Sequence, residues 1–387
     1  MRIAVFSDTF LPQVNGVANT LARLLEWGER SGNSIRLFAP QYMGAPGAEA
    51  SVLRFPSVPF FPYPECRLAW PAARRIDPLL RQFQPDVILN MTEFSLGRAG
   101  LSAARRMGIP AVSNYSTHFP QYLSYYHADW LKPAAWQFIR RFHQQHAATV
   151  CPSSDAQASL WQQGVTRTAI FSRGIDAVRF HPEKRSEAWR AAQGMGKELA
   201  VLFAGRISSE KNLDVLARAW RKVRLVCGRM RLFLAGDGPY LEAARALFPE
   251  DVTFLGCLRG EALATAYASC DLFAFPSTTE TFGNVVLEAM ASGLAVCAAA
   301  AGGVTDIVTH NHDGMLVKPL DDAAMASGLI ALATKPALRA RYADKARISA
   351  CHRTWDREFD ELAALLEHVA RHGAAWRGQG REQQSVS

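Results

Sequence analysis

The sequence predicts a parallel α/β protein made of two domains, and three observations lead there. Short apolar runs alternate with amphipathic stretches along the chain, the pattern of strands covered by crossover helices. The alternation starts afresh in the second half, with its own glycine turns. The chain has 387 residues, long for one domain and comfortable for two.

In the first half the strand candidates are Ile3–Ser7, Ser34–Phe38, Val87–Leu89, Ala111–Asn114 and Thr149–Cys151. Helices are expected between them at Val17–Arg30, Ala72–Gln82, Leu96–Met107 and Pro133–Gln145. Arg105-Arg106-Met107-Gly108-Ile109-Pro110 shows a basic last turn, a glycine stop and a proline, as a helix terminus does. In the second half the strands are Ala200–Ala204, Arg231–Ala235, Thr253–Leu255, Leu272–Phe275, Leu294–Ala298 and Met315–Val317, each followed by a helix-like segment. Two such series imply two nucleotide-fold domains, 1–172 and 173–353, with a cleft between them. The polar stretch Ser172–Gly174 reads as the hinge, and Glu183–Gly196 as an exposed insertion. Residues 354–372 form one amphipathic helix, with Trp355, Phe359, Leu362, Leu365 and Val369 spaced for a single buried face. Residues 373–387 are polar and glycine-rich, and disorder is expected there.

Composition narrows the class. Apolar residues make up 49%, enough for sizeable cores. The run Arg2–Phe6 is short and meets Asp8-Thr9, so it reads as a first strand and not as a signal peptide. No stretch approaches the roughly 18 to 20 consecutive apolar residues of a membrane span. The seven cysteines (66, 151, 227, 257, 270, 297 and 351) are scattered and never form Cys-x-x-Cys. That argues for reduced thiols in a cytoplasmic protein, without a zinc site or a disulfide framework. Net charge is +8, and residues 1–150 hold 15 Lys and Arg against 9 Asp and Glu. A basic half suits an anionic membrane, a nucleic acid or a phosphorylated ligand, and equally serves solubility alone.

The chemistry-bearing segments lie at predicted strand ends. Glu280-Thr281-Phe282-Gly283-Asn284-Val285-Val286-Leu287-Glu288 follows the strand within Asp271–Ser277. A carboxylate at the end of a parallel strand, beside free helix N–H groups, suits a ligand carrying hydroxyls and phosphates. Glu288 sits in an almost wholly apolar helix and needs a partner there. The two glutamates are slightly over two helical turns apart, about 12 Å. Phe203-Ala204-Gly205-Arg206-Ile207-Ser208-Ser209-Glu210-Lys211-Asn212 leaves a strand with Gly205 for close approach and Arg206 and Lys211 as cations. Ala235-Gly236-Asp237-Gly238-Pro239 is a second glycine turn, and Asp8–Val17 joins the first strand to the first helix through Asn15-Gly16. Ala301-Gly302-Gly303 opens another helix.

Together these segments resemble the retaining, nucleotide-sugar-dependent glycosyltransferases of family 4 (group 1), over nearly the whole chain to about residue 370. That family has the GT-B fold: two facing Rossmann-like domains, an interdomain cleft, and a last helix crossing back to the N-domain. The resemblance assigns Glu280 to hydroxyls of the donor sugar and Glu288 to the ribose. Gly205, Arg206, Lys211 and Gly236 would border the diphosphate, where fixed cations favour the charge that develops on the departing group. Phe282, Gly283 and Asn284 would contact the donor at the helix start, and Asn15 and Gly16 would present amides to it. The catalytic set is then His118, Glu280, Arg206 and Lys211.

One stretch departs from the family pattern. In Asn114-Tyr115-Ser116-Thr117-His118-Phe119-Pro120-Gln121-Tyr122, Ser116 occupies the usual histidine position and His118 lies two residues later. Either His118 serves from a shifted place, or Ser116 substitutes, or the imidazole is dispensable.

No Asp-x-Asp pair ends a strand and no histidine cluster is present, so metal-independent transfer is expected, with a nucleotide diphosphate sugar as substrate and no cofactor. Residues 56–70 form a proline-rich aromatic loop, and Trp130, Lys132, Trp136, Phe138, Ile139, Arg140, Arg141 and Phe142 form a second aromatic and basic group. Such residues build cores and also favour bilayer interfaces. Both segments resemble the mannosyl- and sulfoquinovosyl-diacylglycerol synthase branch. The implied partners are a nucleotide-sugar donor, a lipid or glycan acceptor and an anionic membrane surface on its inner face, and no nucleic acid. Leu11–Val17 resembles mannosyltransferases using GDP-mannose, which favours that donor over UDP-sugars; base contacts would come largely from the backbone of Leu255–Gly260. The alternatives are a nucleotide-sugar epimerase of the same fold, a transferase with a soluble small-molecule acceptor, and a sugar-nucleotide-binding protein without catalysis. A dinucleotide oxidoreductase needs Gly-x-Gly-x-x-Gly with an acid about 20 residues on, and neither half supplies it.

Overall fold

In the computed structural model, residues 1–13, 15–42, 51–60, 67–118, 120 and 128–373 are described. Val14, residues 61–66 of the aromatic loop with Cys66, Phe119, Gln121, Tyr122 and the tail from 374 lie outside the described residues. The chain forms two compact units, and the chain passes from the first to the second between Ser172 and Arg173. Among the described residues, the first unit holds those up to 120, then 128–172 and 356–373, and the second holds 173–355.

Unit 1 carries β1 (Arg2–Phe6), β2 (Ser34–Pro40), β3 (Val52–Phe55), β4 (Ser57–Pro59), β5 (Arg67–Ala69), β6 (Val87–Asn90), β7 (Ala111–Asn114), β8 (Ala148–Cys151) and β9 (Thr168–Ile170). Seven of these form one parallel sheet in the order β3-β2-β1-β6-β7-β8-β9, while β4 and β5 pair antiparallel. The central strands are mostly apolar, with their polar residues at the ends, because helices cover both faces of such a sheet. Phe6 and Phe38 stack at 4.3 Å inside the core. β3, β9 and the hairpin are not among the strands expected from the sequence. Those strands are three or four residues long, and β9 ends on an Ile170 that is 45% exposed, so neither length nor burial writes a pattern.

The helix Trp355–His372 belongs, from Asp356 on, to unit 1. Phe359 packs against Trp27 and Phe171, and the Trp27 indole N–H donates to Asp360 Oδ1 at 3.0 Å. Its buried stripe is Phe359, Leu362, Leu366 and Val369. Leu366 replaces the expected Leu365 because a 3-4-3 spacing keeps one helical face inward.

Unit 2 carries β10 (Leu199–Ala204), β11 (Met230–Ala235), β12 (Thr253–Gly256), β13 (Leu272–Phe275), β14 (Ala295–Ala299) and β15 (Met315–Val317), parallel in the order β12-β11-β10-β13-β14-β15. The expected insertion at Glu183–Gly196 is largely exposed, but it is anchored to this unit by two buried residues, Arg190 and Met195. Helix Glu187–Ala192 buries Arg190, whose guanidinium donates to Ser269 O at 2.9 Å and Glu198 O at 2.6 Å and pairs with Asp271 at 3.4 Å. Trp189 lies 5.4 Å from Phe233. The charged composition hid an arginine whose two terminal nitrogens both donate inside.

In each sheet the chain winds outward from a central strand in one direction, then returns on its other side. The reversal falls between β1 and β6 in unit 1 and between β10 and β13 in unit 2. At such reversals the loops at the carboxyl ends of the strands diverge and leave room for a ligand.

Candidate active site

In unit 2 the loops after β10, β11 and β13 line that edge. Gly205 ends β10 with φ +147°, and Arg206 beside it is exposed. The turn after β11 is pressed against it. A Cβ on Gly236 would stand 1.8 Å from Gly205 O, and one on Gly238 would stand 2.3 Å from Ile207 O. Backbone bonds lock the stack: Gly205 N–H donates to Ala235 O at 3.0 Å, Ile207 N–H to Asp237 O at 2.9 Å, and Gly236 N–H to Gly256 O at 2.8 Å. The paired glycines therefore let two loops touch backbone to backbone.

Past Arg206, a 3-10 turn over Ser209–Lys211 leads into helix Leu213–Cys227 through Asn212, which takes the left-handed φ of +52°. Lys211 Nζ donates to Glu280 Oε1 at 2.5 Å, and Ser277 Oγ donates to the same oxygen at 2.9 Å. Beside this pair, Thr278 Oγ1 donates to Asn212 Oδ1 at 3.1 Å. These bonds join the loops after β10 and β13 across the sheet reversal. Glu280 is also held by its backbone, since its carbonyl accepts from Gly303 N–H at 2.8 Å. A Cβ on Gly302 would meet that carbonyl at 2.4 Å, so this glycine pair is a clasp on the Glu280 loop.

Helix Asn284–Ala291 follows, capped by Gly283 at φ +107°. Phe282 is only 4% exposed and belongs to the core, so what it offers at the edge is backbone. Glu288 is half-buried on that helix. Burial pushes its carboxyl up to about 7, opposed by the Tyr267 hydroxyl, which donates to Glu288 Oε2 at 3.0 Å. Burial and the neighbouring Glu288 in turn push the Tyr267 phenol well above its ordinary range. Tyr267 is the partner that a carboxylate in an apolar helix requires, and it stands 21 residues upstream where no spacing rule points to it.

The remaining predicted residues lie in unit 1. Asn15 caps helix Gly16–Ser31: its Oδ1 accepts from Ala18 N–H at 2.9 Å and its amide donates to Thr9 Oγ1 at 2.8 Å. Gly16 is the exposed first residue of that helix. His118 is 1% exposed, with Tyr115 OH 3.1 Å from Nδ1 and Asp155 Oδ2 3.5 Å from Nε2. The imidazole is therefore buried, and Ser116 at the family's histidine position is the partly exposed member of the pair. Asp8, at the end of β1, was not singled out by its sequence context. Fully buried, it accepts from Thr92 Oγ1 at 2.7 Å, from Ser95 Oγ, and from Leu96 N–H at 2.8 Å, capping helix Ser95–Met107 from a distant strand. Burial raises its pKa against those bonds.

Among the described residues, no three His, Cys, Asp or Glu side chains gather as a metal site, and no helix is long and apolar enough to cross a membrane.

Comparison with known proteins agrees with this architecture. Residues 14–179 match the Glycosyltransferase Family 4 model, and residues 198–335 match that of the Glycosyl transferases group 1. The chain is 35% identical over 377 residues to a GDP-mannose-dependent alpha-mannosyltransferase of Mycobacterium tuberculosis, covering 95% of this chain and 97% of the relative. It is 31% identical over 340 residues to the alpha-monoglucosyldiacylglycerol synthase of Streptococcus pneumoniae, covering 84% and 77%. Anabaena HepE, solved with UDP and glucose, shares the fold at a TM-score of 0.71 and 22% identity, covering 95% and 99%. The chain thus belongs to glycosyltransferase family 4 and is a nucleotide-sugar glycosyltransferase of the GT-B fold.

Proposed function

We propose that this enzyme transfers mannose from GDP-mannose to a lipid or glycan acceptor, with retention of anomeric configuration and without a divalent metal. The observation that carries the reading is the Lys211–Glu280 pair beside Gly205 and Arg206 at the carboxyl edge of unit 2. Glu280 presents a carboxylate for sugar hydroxyls, and Lys211 and Arg206 supply positive charge for the diphosphate. As the bond from the sugar C1 to the phosphate oxygen breaks, negative charge grows on the diphosphate and these cations stabilise it. Two fixed cations take over the charge neutralisation that a metal gives in other transferases. Glu288, aligned by Tyr267, accepts from the ribose hydroxyls.

The names of the relatives support mannose as the sugar and a lipid as the acceptor. Unit 1 takes the acceptor on this reading. Its charge excess supports peripheral attachment to the anionic inner face of a membrane, with the enzyme on the cytoplasmic side.

The test is a turnover assay with purified protein, a panel of GDP- and UDP-sugars and a mixed lipid extract, with the product's anomeric configuration read by NMR. A mannolipid with the donor's configuration is expected. An inverted product, or transfer from UDP-sugars alone, contradicts the reading. Release of an epimerised sugar nucleotide without transfer would restore the epimerase alternative.

A further inference from the structure

Away from these residues, unit 1 carries a groove of about 530 Å³ between helix Ser95–Met107 and helix Lys132–His143. Its rim is basic: Arg98, Arg105, Arg106 and Arg141 all line it and all are exposed. No carboxylate is among the described residues that line it. Arg106 spends its charge on Asp77, at 2.6 Å, and Arg98 lies over the Phe138 ring at 5.9 Å. The floor is apolar, formed by Leu101 and Phe142, which are buried, and Phe138, which is half-buried and stacked on Phe94 at 6.1 Å. Just before the second helix, Trp130 is 78% exposed.

An arginine rim over an aromatic floor is complementary to an anion joined to a hydrocarbon stem. Guanidinium groups grip phosphate oxygens in a planar fork, and the aromatic floor covers methylenes. The volume is that of a small-molecule pocket, whereas a nucleic acid or acidic peptide needs a basic surface that tracks an extended chain. The exposed Trp130, just ahead of the second helix in the chain, is a side chain of the kind favoured at the bilayer interface.

We propose that this groove seats the head-group phosphate of an anionic glycerophospholipid, with the start of its acyl stem against Phe138 and Phe142. The inference rests on the membrane attachment proposed above and gives it a residue-level site. It also separates two neighbours: Arg141 lines the groove and Arg140, equally exposed on the same helix, does not.

The test is sedimentation with phosphatidylcholine vesicles, with and without phosphatidylglycerol, at low salt. The wild type is expected to bind only the anionic vesicles. Arg141→Glu should weaken partitioning at least about fivefold, since each basic residue at such a surface is worth about that factor. Arg140→Glu should weaken it less. Ala134→Trp, at an exposed lining position, fills the groove without changing charge and should weaken binding as Arg141→Glu does. Circular dichroism and donor affinity, both expected unchanged, report folding. Equal loss for Arg140→Glu and Arg141→Glu, with none for Ala134→Trp, overturns the groove and leaves a diffuse basic surface. A wild type that ignores anionic vesicles overturns the membrane reading itself, while donor binding still reports separately on the transferase site. Competition by inorganic phosphate at the same charge equivalent as the vesicles would mark a free-anion site and overturn the lipid assignment, as would tighter binding of a short oligonucleotide than of vesicles.

Discussion

Lys211 Nζ and Glu280 Oε1 stand 2.5 Å apart although 69 residues separate them in the chain. Their side chains are 13% and 17% exposed, so the pair is largely withdrawn from water. A pair of that kind is costly to break on one side, because the survivor keeps its desolvation penalty without its partner. It joins the loops of two adjacent strands where the sheet order reverses, and sets a cation beside an anion at the proposed donor edge. The Thr278–Asn212 hydrogen bond links the same two loops a second time, and Gly302 and Gly303 hold Glu280 from behind.

The glycine stack yields a stability prediction. Gly236→Ala places a Cβ 1.8 Å from a backbone oxygen at a φ of +151°, and backbone cannot swing aside as a flexible side chain can. A loss of about 2 kcal/mol or more is expected in urea denaturation, with donor affinity falling too, because the Gly205 loop must move. Gly194→Ala, also at positive φ but with nothing within 4 Å, should cost less and leave donor affinity intact.

Glu288 predicts a pH dependence in two directions. Its carboxyl lies at about 7 in the folded protein against 4.5 ordinarily, so between those values the folded chain holds a proton that the unfolded chain has lost. That contribution to stability is present at low pH and is lost as pH rises through the window. Glu288→Gln should therefore lose less stability than the wild type between about pH 5 and about pH 8, read as denaturation midpoints without nucleotide. Donor binding runs the other way. If ribose hydroxyls require the carboxylate, wild-type affinity rises from about pH 6 to about pH 8. Tyr267→Phe should move that rise to higher pH, since the phenol's hydrogen bond favours the ionised form. An affinity flat across this range would remove Glu288 from the donor site.

His118 and Ser116 separate by what each substitution changes. His118→Ala removes a buried imidazole placed against Tyr115 and Asp155, and should cost about 1 to 3 kcal/mol of stability. Ser116→Ala should lower kcat with a smaller loss of stability. If His118→Ala lowers kcat while melting like the wild type, the interior role is wrong.

How far the sequence could be read follows physical lines. The central strands of both sheets are legible because each is a continuous apolar run closed by a glycine or polar turn. β3 and β9 of the first sheet are not, being only four and three residues long with no apolar run of their own. Glu280, Arg206 and Lys211 are visible as residue types at strand ends, and the apolar surroundings of Glu288 announce a partner. Which partner is a tertiary fact: Tyr267 lies on another helix, and Asp8 caps a helix from 88 residues upstream. His118 shows the converse. Its loop reads as a candidate site, and only packing reveals that the ring is interior.

Metal independence is checked by activity in EDTA. Transfer should persist at an unchanged rate if, as proposed, Arg206 and Lys211 carry the charge of the departing diphosphate. A strict requirement for added manganese or magnesium would refute that division of labour. In the same assay GDP should compete with the donor more strongly than UDP, and the reverse order would exclude GDP-mannose.

The central claim, that the carboxyl edge of unit 2 holds the sugar nucleotide through Lys211, is tested most directly by calorimetric titration of GDP-mannose into the wild type and Lys211→Ala. Loss of a charge-assisted contact to phosphate costs about 1.5 to 3 kcal/mol, so the variant should bind at least about tenfold more weakly while its circular dichroism spectrum stays native. Equal affinity in the two proteins would contradict the account.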